Sequence, residues 1–285
     1  VHDYFLQDGG AERVFAAWSR LFPDAPVFTL LADPRTFPEG FSPKTLSTSP
    51  LQRLFFGQWM YPALTPLMPM ASEALDLSDF DCVLISSSSF AKGVIVPPHV
   101  KTLCYLHTPT RFLWEERHHY ARHRGWPSLA RLPLHGAFHL LRHWDVMAAQ
   151  RPTQLLTNGR TSQARIRRYY QRESTILHPP VDLATIPFAP ASNRSYWLTG
   201  GRLVPYKQFD QCILAANQLG APLKIFGTGP EEARLKRLAG PTVEFLGRVN
   251  EAQKWELYQQ AHGFLHPHIE DFGITILEAL ASGIP

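Results

Sequence analysis

The sequence predicts an α/β fold built from two doubly wound parallel-sheet domains. Three observations carry this expectation. Short apolar runs alternate with amphipathic runs of helical period, and that order means parallel strands covered on both faces. Glycine-rich turns join several of the strands to the helices that follow. The 285 residues exceed one ordinary core and suit two α/β domains. The two domains are expected to face each other across a cleft. Ligands of such folds bind outside the carboxyl ends of the strands.

In chain order, Val1-His2-Asp3 has the character of a strand end. Gln7-Asp8-Gly9-Gly10-Ala11-Glu12 turns from it into a helix over 10–21. Residues 23–70 are rich in proline and loosely patterned, and 111–148 form a long irregular stretch. Strands are predicted over 82–86, 102–106, 154–157 and 175–177, with a helix over 161–170. Pro187, Pro190, Ala191, Ser192 and Asn193 interrupt the periodicity. The domains are therefore expected at 1–190 and 191–285. In the second, strands over 196–199, 223–226, 243–246 and 263–265 alternate with helices over 208–218, 230–238, 251–261 and 273–281. Asn250 suits an N-cap, Pro230 a first helical position, and Gly220, Gly240 and Gly283 C-terminal caps. Both ends have the look of cuts. The chain opens on Val1, and Ser282-Gly283-Ile284-Pro285 resembles a helix stop followed by the start of a strand. The second domain is accordingly expected to be incomplete.

Apolar residues make up 45% and charged residues 18%, the composition of a folded chain with a large core. A net charge of +4 points to anionic partners such as phosphates, nucleic acid or acidic lipid, and is silent about fold. Cys82, Cys104 and Cys212 are odd in number, far apart and set in apolar runs. They are expected to be reduced core cysteines of a cytosolic protein. Without a C-x-x-C pair, no thiol-based metal site is expected. No stretch approaches the roughly 20 apolar residues of a membrane span, and none has the pattern of a signal peptide.

The strongest constellation runs from His266 through Glu270, Asp271, Phe272 and Gly273 to Glu278. A strand is expected to end near His266, a loop to carry Glu270, and a helix to begin near Gly273 and carry Glu278. Free N–H groups at that helix start suit an anion, and carboxylates beside it suit sugar or ribose hydroxyls. The plain alternative is that Glu270 and Asp271 only favour the helix dipole and Glu278 is solvated. Gly200-Gly201-Arg202-Leu203-Val204-Pro205-Tyr206-Lys207 places two cations after a strand, where a planar fork and a point charge suit a diphosphate. Two solvated loop cations are the alternative. Gly9-Gly10 and Gly227-Thr228-Gly229-Pro230 allow backbone to approach an anion closely, or are simply tight turns. His107, at a strand end before Thr108-Pro109-Thr110-Arg111, can bind a sugar hydroxyl or relay a proton, or sit satisfied in the core. Asn158 is a weaker candidate of the same kind. Segment 111–148 holds six Arg, six His and three Trp against three acids. It suits peripheral contact with an anionic bilayer, or is a helical surface of the first domain. No nucleic-acid module is visible.

Taken together, Glu270-x7-Glu278 with Phe272-Gly273 between them, Gly201-Arg202…Lys207, Gly227-Thr228-Gly229-Pro230, Phe245-Leu246-Gly247 and His2-Asp3-Tyr4…Gly9-Gly10-Ala11-Glu12-Arg13 resemble the retaining GT-B glycosyltransferases of family 4. The opening motif and His107-Thr108-Pro109 resemble the branch of mannosyltransferases in bacterial O-antigen and exopolysaccharide assembly. The resemblance implies two Rossmann-like domains, acceptor bound mainly by the first and nucleotide donor mainly by the second. It implies retention of configuration and no metal or other cofactor, with GDP-mannose favoured as donor. Arg202 and Lys207 would bind the donor diphosphate, Glu270 would face the donor sugar, and His107 would contact the transferred sugar. Gly9, Gly10, Gly201, Gly227, Gly229, Phe272, Gly273 and Glu278 would line the donor site, with Glu278 on the ribose. Arg111 and Asn158 fall on the acceptor side. The acceptor would be a saccharide or lipid-linked saccharide, and the setting cytoplasmic, peripheral at the inner face of the cell membrane. A non-catalytic GT-B-like binding protein and a nucleotide-sugar epimerase are the alternatives. An NAD-dependent oxidoreductase should show G-x-G-x-x-G after an early strand, and that is not found.

Overall fold

The computed structural model describes residues 1–7, 9–116, 128–181, 183, 186–188 and 194–285, with the side chains of 128–134 not described. The chain divides into two compact units, Val1–Pro180 and Val181–Pro285. Most of the interrupted stretch expected to mark the boundary, together with Asp8 and Trp126, lies outside the described residues.

In the first unit seven strands form one parallel sheet: β1 (His2–Phe5), β2 (Val27–Ala32), β3 (Leu46–Thr48), β4 (Cys82–Ser87), β5 (Lys101–Leu106), β6 (Gln154–Thr157) and β7 (Thr175–Ile176). Their spatial order is β3-β2-β1-β4-β5-β6-β7. The order reverses between β1 and β4, which makes that junction the topological switch point. Strands β2 and β3 fall in the proline-rich stretch that was expected to be loose. The prolines begin short helical turns there, as at Pro34–Thr36 and Pro50–Leu54, and leave the strands between them intact. An apolar cluster led by Leu30, Leu31, Ile85, Leu106 and Ile166 fills the unit. A second gathers Phe5, Phe15 and Phe41 under the helix Gly10–Leu21.

The second unit repeats the design with β8 (Tyr196–Gly200), β9 (Leu223–Phe226), β10 (Val243–Gly247) and β11 (Ala261–Phe264) in the order β10-β9-β8-β11. All its pairings are parallel. Alternation in β9 sends Leu223 and Ile225 to the helix Phe209–Leu219 and Phe226 to the cluster of Tyr258 and Ala279. Asn250 caps the helix Glu251–Gln260 through a reciprocal capping box with Gln253. Gly220 is a left-handed C-cap at φ 62°, and Gly283 follows its helix at φ 83°.

Three local expectations are corrected. Gly240 is not left-handed, because the helix Glu232–Leu238 closes one residue earlier on an extended Ala239. Pro230 lies in the turn before that helix, whose cap is Glu231. Cys82 is exposed at the start of β4, whereas Cys104 and Cys212 are buried. No helix among the described residues is long and apolar enough to cross a membrane. Within 111–148, Trp114 and Trp144 turn inward. Trp114 Nε1 donates to Asp145 Oδ2 at 2.7 Å, and Trp144 Nε1 donates to Glu73 Oε1 at 2.8 Å.

Asp145 and Lys92 form a fully buried ion pair, Nζ to Oδ1 2.6 Å. The Asp145 carboxylate also accepts from Thr110 Oγ1 and from the Tyr170 hydroxyl, each at 2.7 Å. Removing one partner of such a pair strands the other charge in the core. Asp145→Asn is expected to cost about 3–5 kcal/mol in urea denaturation. A loss under about 1 kcal/mol would show that the pair does not organise the unit.

Candidate functional site

In the second unit the switch point lies between β8 and β11, and the loops leaving these strands carry most of the expected site. Gly200-Gly201 lets the loop after β8 lie directly on the loop after β9. A side chain at Gly200 would overlap the Phe226 ring. One at Gly227, where φ is 107°, would overlap the Gly201 carbonyl oxygen, and one at Gly229 would overlap that of Leu203. Backbone bonds close the contact: Gly201 N donates to Phe226 O at 3.0 Å and Leu203 N to Thr228 O at 2.9 Å. The sequence offers Gly227 and Gly229 either to a ligand or to a tight turn, and the resemblance adds Gly201 to the donor site. Their immediate work is to let two loops interlock.

The interlocked loop ends in a 3-10 turn, Pro205–Lys207, and Gln208 leaves it in the left-handed region at φ 52°. Arg202 is exposed. Lys207 is 9% exposed and points its Nζ at Glu270 Oε1, 3.2 Å away. The same carboxylate oxygen lies 3.2 Å from His268 Nε2, and the His266 ring stands 4.0 Å from the His268 ring. Burial alone would raise the Glu270 pKa. The His268 ring and the Lys207 ammonium outweigh it and bring the value down to about 2. Burial, with His268 beside it, pushes His266 down to about 4.

His266, His268 and Glu270 hold ligand-type atoms within 4.8 Å of one another. Lys207 already places a full charge on this carboxylate, so a divalent cation there would meet like charge. Among the described residues the buried His266 Nε2 and His268 Nδ1 have no hydrogen-bond partner. A neutral imidazole offers one donor and one acceptor, which matches hydroxyl groups. Sequence reasoning passed over both histidines. The signal was their spacing two residues apart just beyond the strand end, and the loop gathers His266, His268 and Glu270 together.

Glu278 is not solvated. It sits in the helix Ile274–Ala281, is 5% exposed, and accepts from Lys254 Nζ at 3.0 Å and from the Tyr258 hydroxyl at 3.5 Å. Burial and the Glu278 charge raise the Tyr258 hydroxyl well above its ordinary pKa. Glu270 and Glu278 are therefore not one carboxylate pair. Each has its own lysine, Lys207 for the first and Lys254 for the second. Gly273, at φ 86°, starts the helix, and Phe272 before it is half-buried.

The first unit places its candidates at the carboxyl ends of three strands. His107 follows β5, is 8% exposed, and lies 2.9 Å through Nε2 from Ser86 Oγ in β4. Ser86 Oγ lies 3.1 Å from His2 Nδ1 in β1. Asn158 follows β6, is 6% exposed, and has a buried Oδ1 with no partner among the described residues. Arg111 opens a short helix, Arg111–Trp114, and is half-buried. Gly9 caps the helix Gly10–Leu21, where a Cβ would stand 2.7 Å from Glu12 Oε2. The β1/β4 switch point itself is filled from within. Asp3 accepts the backbone N–H groups of Ser88, Ser89 (2.9 Å), Phe90 (2.8 Å) and Ala91 (2.6 Å). Burial would raise its pKa, but the His2 ring beside it, the Ala91 and Ser88 N–H groups and the Lys92 charge hold it below the ordinary value.

Residues 186–285 match the family model described as Glycosyl transferases group 1. Two curated glycogen synthases of Mycobacterium tuberculosis, from strains CDC 1551 / Oshkosh and ATCC 25618 / H37Rv, are each 29% identical over 182 residues. The match takes in 58% of this chain and 42% of theirs, so the chain spans less than half the length of these relatives. Among solved structures, sucrose-phosphate synthase from Thermosynechococcus elongatus is similar at a TM-score of 0.64 and 15% identity, over 96% of this chain and 73% of that one. A glycosyltransferase involved in avilamycin A biosynthesis is similar at a TM-score of 0.50 and 19% identity, over 97% and 70%. At these identities the likeness is one of fold. The expected class holds: an α/β fold with parallel, Rossmann-like sheets, like those of GT-B glycosyltransferases.

Two measurements test the site's construction. Gly227→Ala and Gly247→Ala both place Ala in the left-handed region, but the second Cβ would meet open space. Thermal denaturation is expected to show Gly227→Ala less stable than Gly247→Ala by about 1–3 kcal/mol, the cost of overpacking. Equal losses would mean the loops are not tightly interlocked. The second measurement is pH. Burial holds His2 near a pKa of about 3 and His107 near about 4, below the ordinary 6.5. The unfolded chain takes up these protons first, so their stabilising contribution is complete above pH 6.5 and falls as the pH drops towards those values. The melting temperature should decline over that window, and a flat profile would contradict neutral burial of the two rings.

Proposed function

We propose that the protein is a retaining glycosyltransferase that moves a hexose from a nucleoside-diphosphate sugar to a saccharide or lipid-linked saccharide. The observation that carries the proposal is the Lys207–Glu270 pair, its lysine buried and its carboxylate half-buried, at the β8/β11 switch point, inside the region that matches the family model. A lysine held there by a carboxylate is a fixed cation where an anionic ligand of this fold class binds.

In this reading the leaving group is a nucleoside diphosphate, and the step to be assisted is growth of charge on its bridging oxygen. Lys207, Arg202 and the N–H groups at the start of the helix Ile274–Ala281 supply that electrostatic stabilisation. Glu270 stations Lys207 and, with His266 and His268, offers hydrogen-bonding atoms to the sugar hydroxyls. Its charge is already engaged by a lysine, which makes it a poor nucleophile, so no glycosyl-enzyme intermediate on Glu270 is proposed. The departing phosphate can take the acceptor's proton as it leaves. Glu278 is assigned to the ribose hydroxyls, with Lys254 and Tyr258 orienting its carboxylate. Gly9, Gly10 and His107 are assigned to the donor from the first unit, and Arg111 and Asn158 to the acceptor.

The resemblance to the mannosyltransferase branch supports mannose as the hexose, GDP-mannose as the donor and bacterial surface polysaccharide as the product. It also supports a cytoplasmic setting at the inner face of the membrane. No metal or further cofactor is part of the proposal, because the Lys207 charge stands where a metal would act.

A panel of nucleotide sugars tests the reading by thermal shift and by turnover. The true donor should raise the melting temperature, by about 2.7 kcal/mol of stabilisation at one hundred times its Kd. Lys207→Ala and Glu278→Ala should each lower kcat/KM roughly 100-fold to 1,000-fold. Near-normal transfer by both variants would sink the site assignment, and a stronger response to UDP-sugars than to GDP-mannose would sink the donor assignment.

A further inference from the structure

Three side chains on adjacent strands form a continuous buried chain: His2 on β1, Ser86 on β4 and His107 just beyond β5. Register explains the meeting, since His2 pairs with Ser86 and Ser86 with Tyr105 across the two ladders. Ser86 Oγ stands 3.1 Å from His2 Nδ1 and 2.9 Å from His107 Nε2. His2 is 1% exposed, Ser86 0% and His107 8%.

A serine hydroxyl has one proton. For both contacts to be hydrogen bonds between neutral groups, Ser86 donates to one ring and accepts from the other. The two imidazoles are thereby locked to the same tautomer. Either both carry their proton on Nδ1, with His2 donating to Ser86 and Ser86 donating to His107, or both carry it on Nε2, with every bond reversed. The far nitrogen of His2 separates the two cases. Among the described residues His2 Nε2 is buried without a partner, in a ring packed 4.8 Å from Phe5 and 4.9 Å from Phe15. The Nε2–H form would bury an orphaned donor there, and orphaned buried donors are rarer than under-satisfied acceptors. The Nδ1–H form leaves only a lone pair.

We propose that Ser86 and His2 are positioning residues that hold His107 as its Nδ1–H tautomer, so that His107 serves its ligand as a neutral hydrogen-bond donor and not as a base. Among the described residues none hydrogen-bonds to His107 Nδ1, so that N–H is available to an oxygen atom. The nature of the oxygen rests on the functional reading above: a hydroxyl of the sugar or an oxygen of the diphosphate. The assignment leaves the acceptor's proton to the departing phosphate, because a ring protonated on its ligand-facing nitrogen has nothing with which to accept it.

Long-range proton–nitrogen correlation spectra of the full chain, labelled with 15N-histidine and recorded above the ordinary histidine pKa, test this directly. The His107 signals are those missing from His107→Gln. The expected wild-type pattern is a protonated Nδ1 and a bare Nε2. Ser86→Ala should convert it to a mixture of tautomers, and Ser86→Thr, which keeps the hydroxyl, should restore it. His2→Phe, which suits the aromatic surroundings, should loosen the tautomer as well and serves if Ser86→Ala does not fold. A wild-type His107 protonated on Nε2 would overturn the proposal, as would an unchanged Nδ1–H pattern in every folded variant. The spectra need no donor. Sugar transfer without the Nδ1–H tautomer sinks this assignment alone, and the tautomer without sugar transfer sinks the functional reading alone.

Discussion

The first unit depends on where one carboxylate goes. Asp3 is buried in β1 and accepts four consecutive backbone N–H groups from the turn after β4. Those four donors would otherwise be stranded at a sheet junction, and a buried carboxylate without them would not stay ionised. The turn so fixed delivers Lys92 to Asp145, and Asp145 collects Thr110, Trp114 and Tyr170. Thr110 closes the turn that begins at His107. The ring proposed to meet the ligand is held by Ser86, and the loop it opens runs on to Thr110 in that buried network.

The second unit solves the corresponding problem with glycine. Its loops after β8 and β9 are packed backbone against backbone, and the absence of side chains at residues 200, 201, 227 and 229 makes that packing possible. The reward is a rigid platform that brings a lysine from one loop to a carboxylate from another, 63 residues away in sequence. Strong electrostatic effects need fixed charges in poorly solvated places, and an interlocked loop supplies both conditions.

The legible parts of the sequence were those in which local chemistry and tertiary need agree. Asn250, Gly220 and the strand–glycine–helix rhythm of the second unit declare themselves, because caps and left-handed turns are chosen by neighbours in sequence. Strands β2 and β3 were hidden because prolines that start short helical turns look, in sequence, like prolines that forbid order. Motif alone singles out Lys207, Glu270 and Glu278 as candidates, but it does not reveal their partnerships. Lys254 stands among Glu251 and Glu256 on a helix that looks like a charged, solvated face, yet its ammonium is turned inward to Glu278. Nothing in residue spacing says which lysine meets which glutamate across a fold. The link from His2 through Ser86 was likewise hidden, since a serine near the end of a buried strand looks like any small filler until strand register sets it between two imidazoles.

Asp3 also sets a rule of exclusion. A carboxylate built into the strand is never more than a bond rotation from its cradle, so its local concentration there far exceeds that of any phosphate free in solution. An anion arriving from outside cannot compete for that pocket. Two sheets of the same winding thus become chemically unequal: one is saturated by its own chain, and the other keeps a cation in the equivalent place. A single tethered side chain can in this way give two sheets of like winding switch points of opposite chemistry.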